Sequence, residues 1–262
     1  MGIEPAEVSQ MCRDLLSTAV SEMGGQERPG QTTMAEAVDQ AMRDELHLLV
    51  QAGTGTGKSL GYLAPALVYS IEKGTQVIVA TATLALQTQL AHKDIPAILD
   101  ASDKILCRRP KVAVLKGRSN HICLHKVRGG SIHAKGQGTL VSGADLVAEA
   151  DDIREAEAAP ASALGAEVVM LREWAEKQVE ESGLGDRDDA PPHTPLAWAQ
   201  VSVPANECLG AQRCPFGSEC LSETARDQAR NADLVVTNHA MLAIDALNGC
   251  LLYTSDAADD MQ

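Results

Sequence analysis

Ala52 to Ser59 read AGTGTGKS, and no other stretch of the 262 residues restricts the fold as strongly. The pattern G-x-x-x-x-G-K-[ST] builds a loop whose successive backbone N–H groups, together with a helix N-terminus, form a nest for phosphate oxygens. Ala52 stands where the first glycine is usual, and a small residue still allows the tight turn. Gly53, Gly55 and Gly57 keep the loop permissive. Lys58 supplies a point charge for a transferred phosphoryl group, and the Ser59 hydroxyl can ligate Mg²⁺. Thr54 and Thr56 complete the cradle. A glycine-rich surface turn is the bland alternative. The lysine, the serine and the flanking segments oppose it.

Those flanking segments alternate in character. LHLLVQ (46–51) reads as a buried strand, and the residues after the loop as a helix to Ile71. Before them, Met34, Val38, Ala41 and Met42 recur at helical spacing. QVIVAT (76–81), KVAVL (111–115) and DLVVT (233–237) are short β-rich runs, with a helix expected over 84–99. Short apolar strands separated by helices indicate an α/β chain with a parallel, doubly covered sheet. No run of about 18 uncharged apolar residues exists, so no membrane span is expected. The acidic, lysine-free start is not a signal peptide. A cytoplasmic location is the corresponding expectation.

The formal charge is −14, which argues against nucleic acid until the charges are located. From Lys104 to Lys135 there are nine basic residues and no acid. From Asp145 to Asp189 there are fourteen acids and four bases. The basic block is the expected surface for DNA phosphates, and a solvated face is its bland reading. The acidic segment reads as an accessory region, helical between Ala163 and Ser182 with Val169, Trp174 and Val179 on one side, ending in a loop near 183–192. Thr81, Thr83 and Gln87 lie at a strand exit, where hydroxyl, amide and N–H groups suit phosphates. Helix capping by Thr83 is the alternative. Asn238 and His239 follow another strand end, with capping by Asn238 again the bland option.

RPGQTTM (28–34) resembles the adenine-recognition segment of superfamily-two helicases, with Gln31 as base reader. QAGTGTGKSLGYLAPAL resembles their first motif. VIVATATLALQTQL (77–90) is similar to the motif whose threonines hold single-stranded DNA. LKGRSNHICL (115–124), CLGAQRCPFGSEC (208–220) and DLVVTNHAMLAIDAL (233–247) resemble the DinG type, bacterial relatives of the XPD-like iron–sulfur helicases. The resemblance covers roughly residues 28 to 248. It implies a P-loop NTPase (RecA-like) sheet with an inserted iron–sulfur cluster domain. The expected division is 1–118 for the motor, 119–230 for the insert, 231–249 for the return to the motor, and a non-family tail from 250. It implies an ATP-dependent 5′-to-3′ DNA helicase that uses ATP and Mg²⁺, binds single-stranded DNA and serves DNA repair. Lys116 and Arg118 become candidate DNA contacts beside the insert.

The seven cysteines fit this picture unevenly. With no secretory signal, disulfides are not the default. Cys208, Cys214 and Cys220 are evenly spaced in a loop-like segment. Four thiolates can hold a [4Fe–4S] cluster or zinc. C-x₅-C-x₅-C departs from the C-x₂-C habit of zinc, and the resemblance supplies Cys123 as the fourth ligand. Cys12 reads as a small buried hydrophobe, and the flanks of Cys107 do not match the family. The family's D-E-A-H, whose Asp holds Mg²⁺ through water and whose Glu positions the attacking water, does not follow the 233–247 segment. Asp44-Glu45-Leu46-His47 matches in letters only, at the wrong end of its strand. The sequence after Gly249 resembles no part of the family. An N-terminal fragment unable to hydrolyse ATP alone is the expectation. Its rivals are another P-loop NTPase with a zinc loop, or a non-catalytic nucleotide- or DNA-binding module.

Overall fold

The computed structural model describes residues 5–53, 55–129 and 159–247. These residues gather into two compact units, Met1–Leu115 with Gln228–Gln262, and Lys116–Asp227. Thr54, Lys135, the start of the acidic segment and the tail after Leu247 lie outside the described residues.

The first unit holds helices α1 (Pro5–Glu22), α2 (Pro29–Arg43) and α3 (Lys58–Lys73). It continues through strand β1 (Val77–Thr81), α4 (Leu84–Gln89), a π turn (Leu90–Asp94) and α5 (Ile95–Ile105). Strand β2 (Val112–Val114) ends its first passage. Local chemistry sets the boundaries. Pro29 opens α2, where a missing N–H leaves no bond unmade. Gly74 closes α3 at φ 64, in the left-handed region a side chain resists. Thr83 caps α4 by accepting the Leu86 N–H at 3.3 Å.

The chain returns through β3 (Leu234–Asn238) and a final helix, His239–Leu247. β3 lies between β1 and β2 and is parallel to both, with Val77 opposite Leu234 and Thr81 opposite Asn238. Leu234, Val235 and Val236 are wholly buried, as a central parallel strand requires. Leu15, Leu63, Leu67 and Ile98 pack from α1, α3 and α5 into the same core. The helix α1 has no counterpart in the sequence reading.

One expected element is missing. Leu46–Gln51 is neither a strand nor buried: Leu49 is 98% exposed and Leu46 66%. Apolar composition marks a segment fit for a sheet, but a strand exists only when a neighbour takes up its N–H and C=O groups. Among the described residues this run pairs with none of the three strands.

The second unit is mostly helical, with α6 (Leu124–Gly129), α7 (Ala159–Glu180), α8 (Pro195–Val201) and the start of α9 (Leu221–Arg230). Ile122, Leu171, Ala175, Trp198 and Val201 form its core. Trp198 Nε1 donates to the Ser119 carbonyl at 2.7 Å. The helix expected in the acidic segment is present, and of its expected inward residues Trp174 and Val179 pack against this core. Leu171 and Ala175 are buried while Val169 is half-exposed.

Candidate functional site

The phosphate loop joins the exposed 46–51 run to α3. Gly55 and Gly57 sit at φ 76 and 78, so two of its glycines meet a conformational need. Lys58 folds back over the loop, its Nζ donating to the carbonyls of Gly53 (2.6 Å) and Ala52 (3.2 Å). Thr56 Oγ1 donates to Gly53 O at 3.0 Å. Lys58 thus rests on two backbone carbonyls, and an entering phosphate would take their place as its partner. Gln31 is buried, and its Nε2 donates to Gly57 O at 2.8 Å. That contact is tight enough that a β-carbon on Gly57 would lie 2.3 Å from Gln31 Nε2. Adenine-reader candidate and phosphate loop are therefore mechanically joined. Ser59 is the second residue of α3, with Tyr62 one turn on. Thr54 lies outside the described residues.

At the strand ends the groups are less open than expected. Thr81 is buried, and its hydroxyl donates to the carbonyls of Thr83 (2.9 Å) and Thr237 (3.3 Å). Gln87 is fully buried, donating to Leu115 O and Val236 O at 3.0 and 3.2 Å. Gln87 thus ties α4 to the sheet rather than facing a ligand. Thr83 is exposed, with its hydroxyl engaged as the α4 cap. Asn238 caps the last helix through Met241 N–H at 2.8 Å.

The basic block is largely consumed by the protein's own acids. Lys104 pairs with Glu22, Arg108 with Asp233, and Arg109 with Asp100 and Asp103. In the second unit Lys116 is 4% exposed between Asp186 and Asp188, at 2.6 and 2.8 Å. Arg118 pairs with Glu223, and Arg128 with Glu176 and Glu219. Lys116 and Arg118, expected at a DNA surface, are thus held in internal ion pairs. Their charge compensates acids distant in sequence, a cancellation that a linear charge map cannot display. Lys135 lies outside the described residues.

The four candidate ligands do come together. Cys123, Cys208, Cys214 and Cys220 line one cavity of the second unit, with His121, Arg118 and Phe216. None of the six cysteines described forms a disulfide. Cys123 comes from the start of α6, and the other three from turns between α8 and α9. Burial pushes the Cys123 and Cys220 thiols up, so they are neutral without a cation, and a cationic centre reverses that. Among the described residues no three His, Cys, Asp or Glu side chains converge as ligands of a single ion. The thiols are gathered without meeting at one point. His121, which carries no motif signal, also faces this cavity. Its Nδ1 donates to Leu184 O at 3.0 Å, and its Nε2 is buried with no partner. Cys12 is buried apart from this group, as expected of a small hydrophobe.

A phosphate loop at the start of a helix beside a parallel sheet, with a buried glutamine clamped on the loop, makes this the candidate nucleotide site. The DEAD/DEAH box helicase family matches residues 29–113. The chain is 47% identical over 241 residues to the ATP-dependent helicase DinG of Mycobacterium tuberculosis H37Rv, covering 92% of this chain and 34% of that protein. It is 34% identical over 225 residues to the ATP-dependent DNA helicase YoaA of Escherichia coli K12, covering 85% of this chain and 30% of YoaA. A 3′-5′ exonuclease DinG of Staphylococcus aureus is 41% identical over 113 residues, 43% of this chain. The chain is similar to the DinG-type helicases over most of its own length, and it spans about a third of the length of the DinG and YoaA relatives it matches. No helix among the described residues is long and apolar enough to cross a membrane.

Proposed function

We propose that this chain is the nucleotide-binding part of a cytoplasmic ATP-dependent DNA helicase acting 5′ to 3′ on single-stranded DNA. The observation that carries the reading is the phosphate loop, with two left-handed glycines and Lys58 folded onto the Ala52 and Gly53 carbonyls. Gly53 to Gly57 would wrap the phosphates, Lys58 would move to the phosphoryl oxygens, and Ser59 would ligate Mg²⁺. Gln31, already bonded to Gly57, would read the base. Thr83 and the backbone at the end of β1 would meet the DNA strand.

The cysteine cavity suits a [4Fe–4S] cluster held by Cys123, Cys208, Cys214 and Cys220. Zinc draws four thiolates to within about 2.3 Å of one point, whereas a cluster takes one thiolate per iron and spreads them. The C-x₅-C-x₅-C spacing, unlike the C-x₂-C habit of zinc, supports the second arrangement. Bound there, the cluster would supply a rigid cross-link among segments far apart in sequence. Burial of the thiols and the Arg118 guanidinium alongside would shield and balance its charge.

These 262 residues carry no D-E-A-H after β3, so the chain alone binds ATP without appreciable hydrolysis. The test is titration of a fluorescent ATP analogue into the chain and into Lys58→Ala. Strong weakening is expected, and equal affinity in the two sinks the assignment. Anaerobically prepared protein should carry iron and acid-labile sulfide. A colourless protein with stoichiometric zinc overturns the cluster reading.

A further inference from the structure

The cysteine cavity has an aromatic wall. Phe216 lies in the loop between Cys214 and Cys220 and lines the cavity together with all four thiols. It is only partly buried against the core of the second unit, so one side of it remains in reach of solvent. Two residues of α6, the helix that follows Cys123, hold this ring. His125 meets it at 6.2 Å between ring centroids. Arg128, three residues on and on the same face, places its guanidinium carbon 5.4 Å from the ring centroid, a cation–π contact.

Arg128 uses its guanidinium on three sides. Nε and Nη2 donate to the two carboxylate oxygens of Glu176 on α7, at 2.9 and 2.6 Å. Nη1 donates to Glu219 Oε2 at 2.8 Å. The remaining contact is with Phe216. A planar fork suits this combination of two carboxylates and a ring. Glu219 and Phe216 belong to the loop between Cys214 and Cys220, whereas Glu176 belongs to a long helix. The guanidinium therefore fastens the cysteine loop to the helical frame.

Exposure decides what this fastening does. The side chains of Glu176 and Glu219 are 46% and 48% exposed. Ion pairs so open to water add little to stability. What they fix is the place of the Phe216 ring, and the apolar shell around a metal centre governs solvent access to it.

We propose that Phe216 is the gate of the cysteine cavity and Arg128 the positioning residue that keeps it shut, so that together they set how fast small solutes reach a cluster bound there. Neither is a ligand to iron. The inference rests on the cluster reading above.

The experiment uses the 262-residue chain, loaded anaerobically, and follows loss of the cluster's visible absorbance in excess ferrous chelator. Wild type is compared with Phe216→Ala, Arg128→Gln and the double variant. Iron per chain before the chelator is added should match wild type in all three. Each single variant should lose its cluster about tenfold faster, at the lower end of what changes around a metal centre typically cost. The double variant should be no faster than Phe216→Ala, because Arg128 acts through the ring. Salt at about 1 M shortens the screening length to about 3 Å, and should speed release from wild type but not from Arg128→Gln. Unchanged release in both single variants overturns the gate. So does a double variant whose acceleration is the product of the two, which would make the residues independent. Lower starting iron and earlier melting in Arg128→Gln would mark a structural role and overturn it as well. Should Phe216→Ala take up no cluster, Arg128→Gln and its salt response decide. A wild-type chain that takes up no iron overturns the cluster reading and the gate with it.

Discussion

Gly57→Ala measures how tightly Gln31 is bound to the phosphate loop. Gly57 sits at φ 78, which costs an alanine about 1–2 kcal/mol. The added β-carbon would also lie 2.3 Å from Gln31 Nε2 and 2.7 Å from its Cδ. Gln31 is 4% exposed, so its amide cannot swing into solvent. It must abandon the 2.8 Å bond to Gly57 O, forfeiting about 1 kcal/mol more. The total of about 2–3 kcal/mol should lower the melting temperature of the first unit by roughly 5–10 °C. In a Gln31→Ala background there is no amide to displace, and only the backbone strain of about 1–2 kcal/mol remains. Chemical denaturation of wild type, both single variants and the double variant closes the cycle. A coupling of about 1 kcal/mol exceeds the roughly 0.5 kcal/mol scatter of independent sites. If Gly57→Ala costs the same in both backgrounds, the clamp between glutamine and loop does not exist.

Other outcomes follow from the same geometry. Lys116→Met should destabilise the second unit by about 3 kcal/mol, because Asp186 and Asp188 lose their partner. The same variant should leave the salt dependence of DNA binding unchanged, and a shallower slope would return Lys116 to the DNA surface. Asp233 is held below the usual carboxylate range by the Arg108 guanidinium and the Lys111 N–H. Its stabilising share is complete above the unfolded value of about 3.9 and fades as pH falls through the lowered folded value. Asp233→Asn should remove that part of the acid sensitivity in a pH series of melting curves. Cys214→Ser should cut iron content sharply while Cys12→Ser leaves it intact, and equal iron in both variants would contradict the ligand set.

Much of this was readable from sequence because the signals were local. The loop glycines, the Thr83 cap, Pro29 and the runs at β1, β2 and β3 each depend on a few neighbouring residues. Five basic side chains of the 104–135 block escaped prediction because their partners lie far along the chain, such as Asp233 for Arg108 and Glu176 for Arg128. Gln87 carried the right letter for a DNA motif, but its neighbours in space turn its amide onto two backbone carbonyls. The 46–51 run failed for the opposite reason. Its composition suits a strand, yet pairing is supplied by other segments, and no residue within the run reports whether they are there. His121 gave no signal, since a lone histidine means little until burial and unmet hydrogen bonds are known.

The placement of β3 has a kinetic consequence. β1 and β2 precede it by more than a hundred residues, yet they touch only β3 and not each other. On the ribosome the sheet therefore has no adjacent strands to close until residue 238 has emerged. Lys116–Asp227 is released earlier and has its own apolar centre, so it can condense first. That order leaves β1 and β2 unprotected while most of the chain is being made. Loading of the proposed cluster into the cysteine cavity would then come before closure of the sheet, and metal supply would act at an early step of folding.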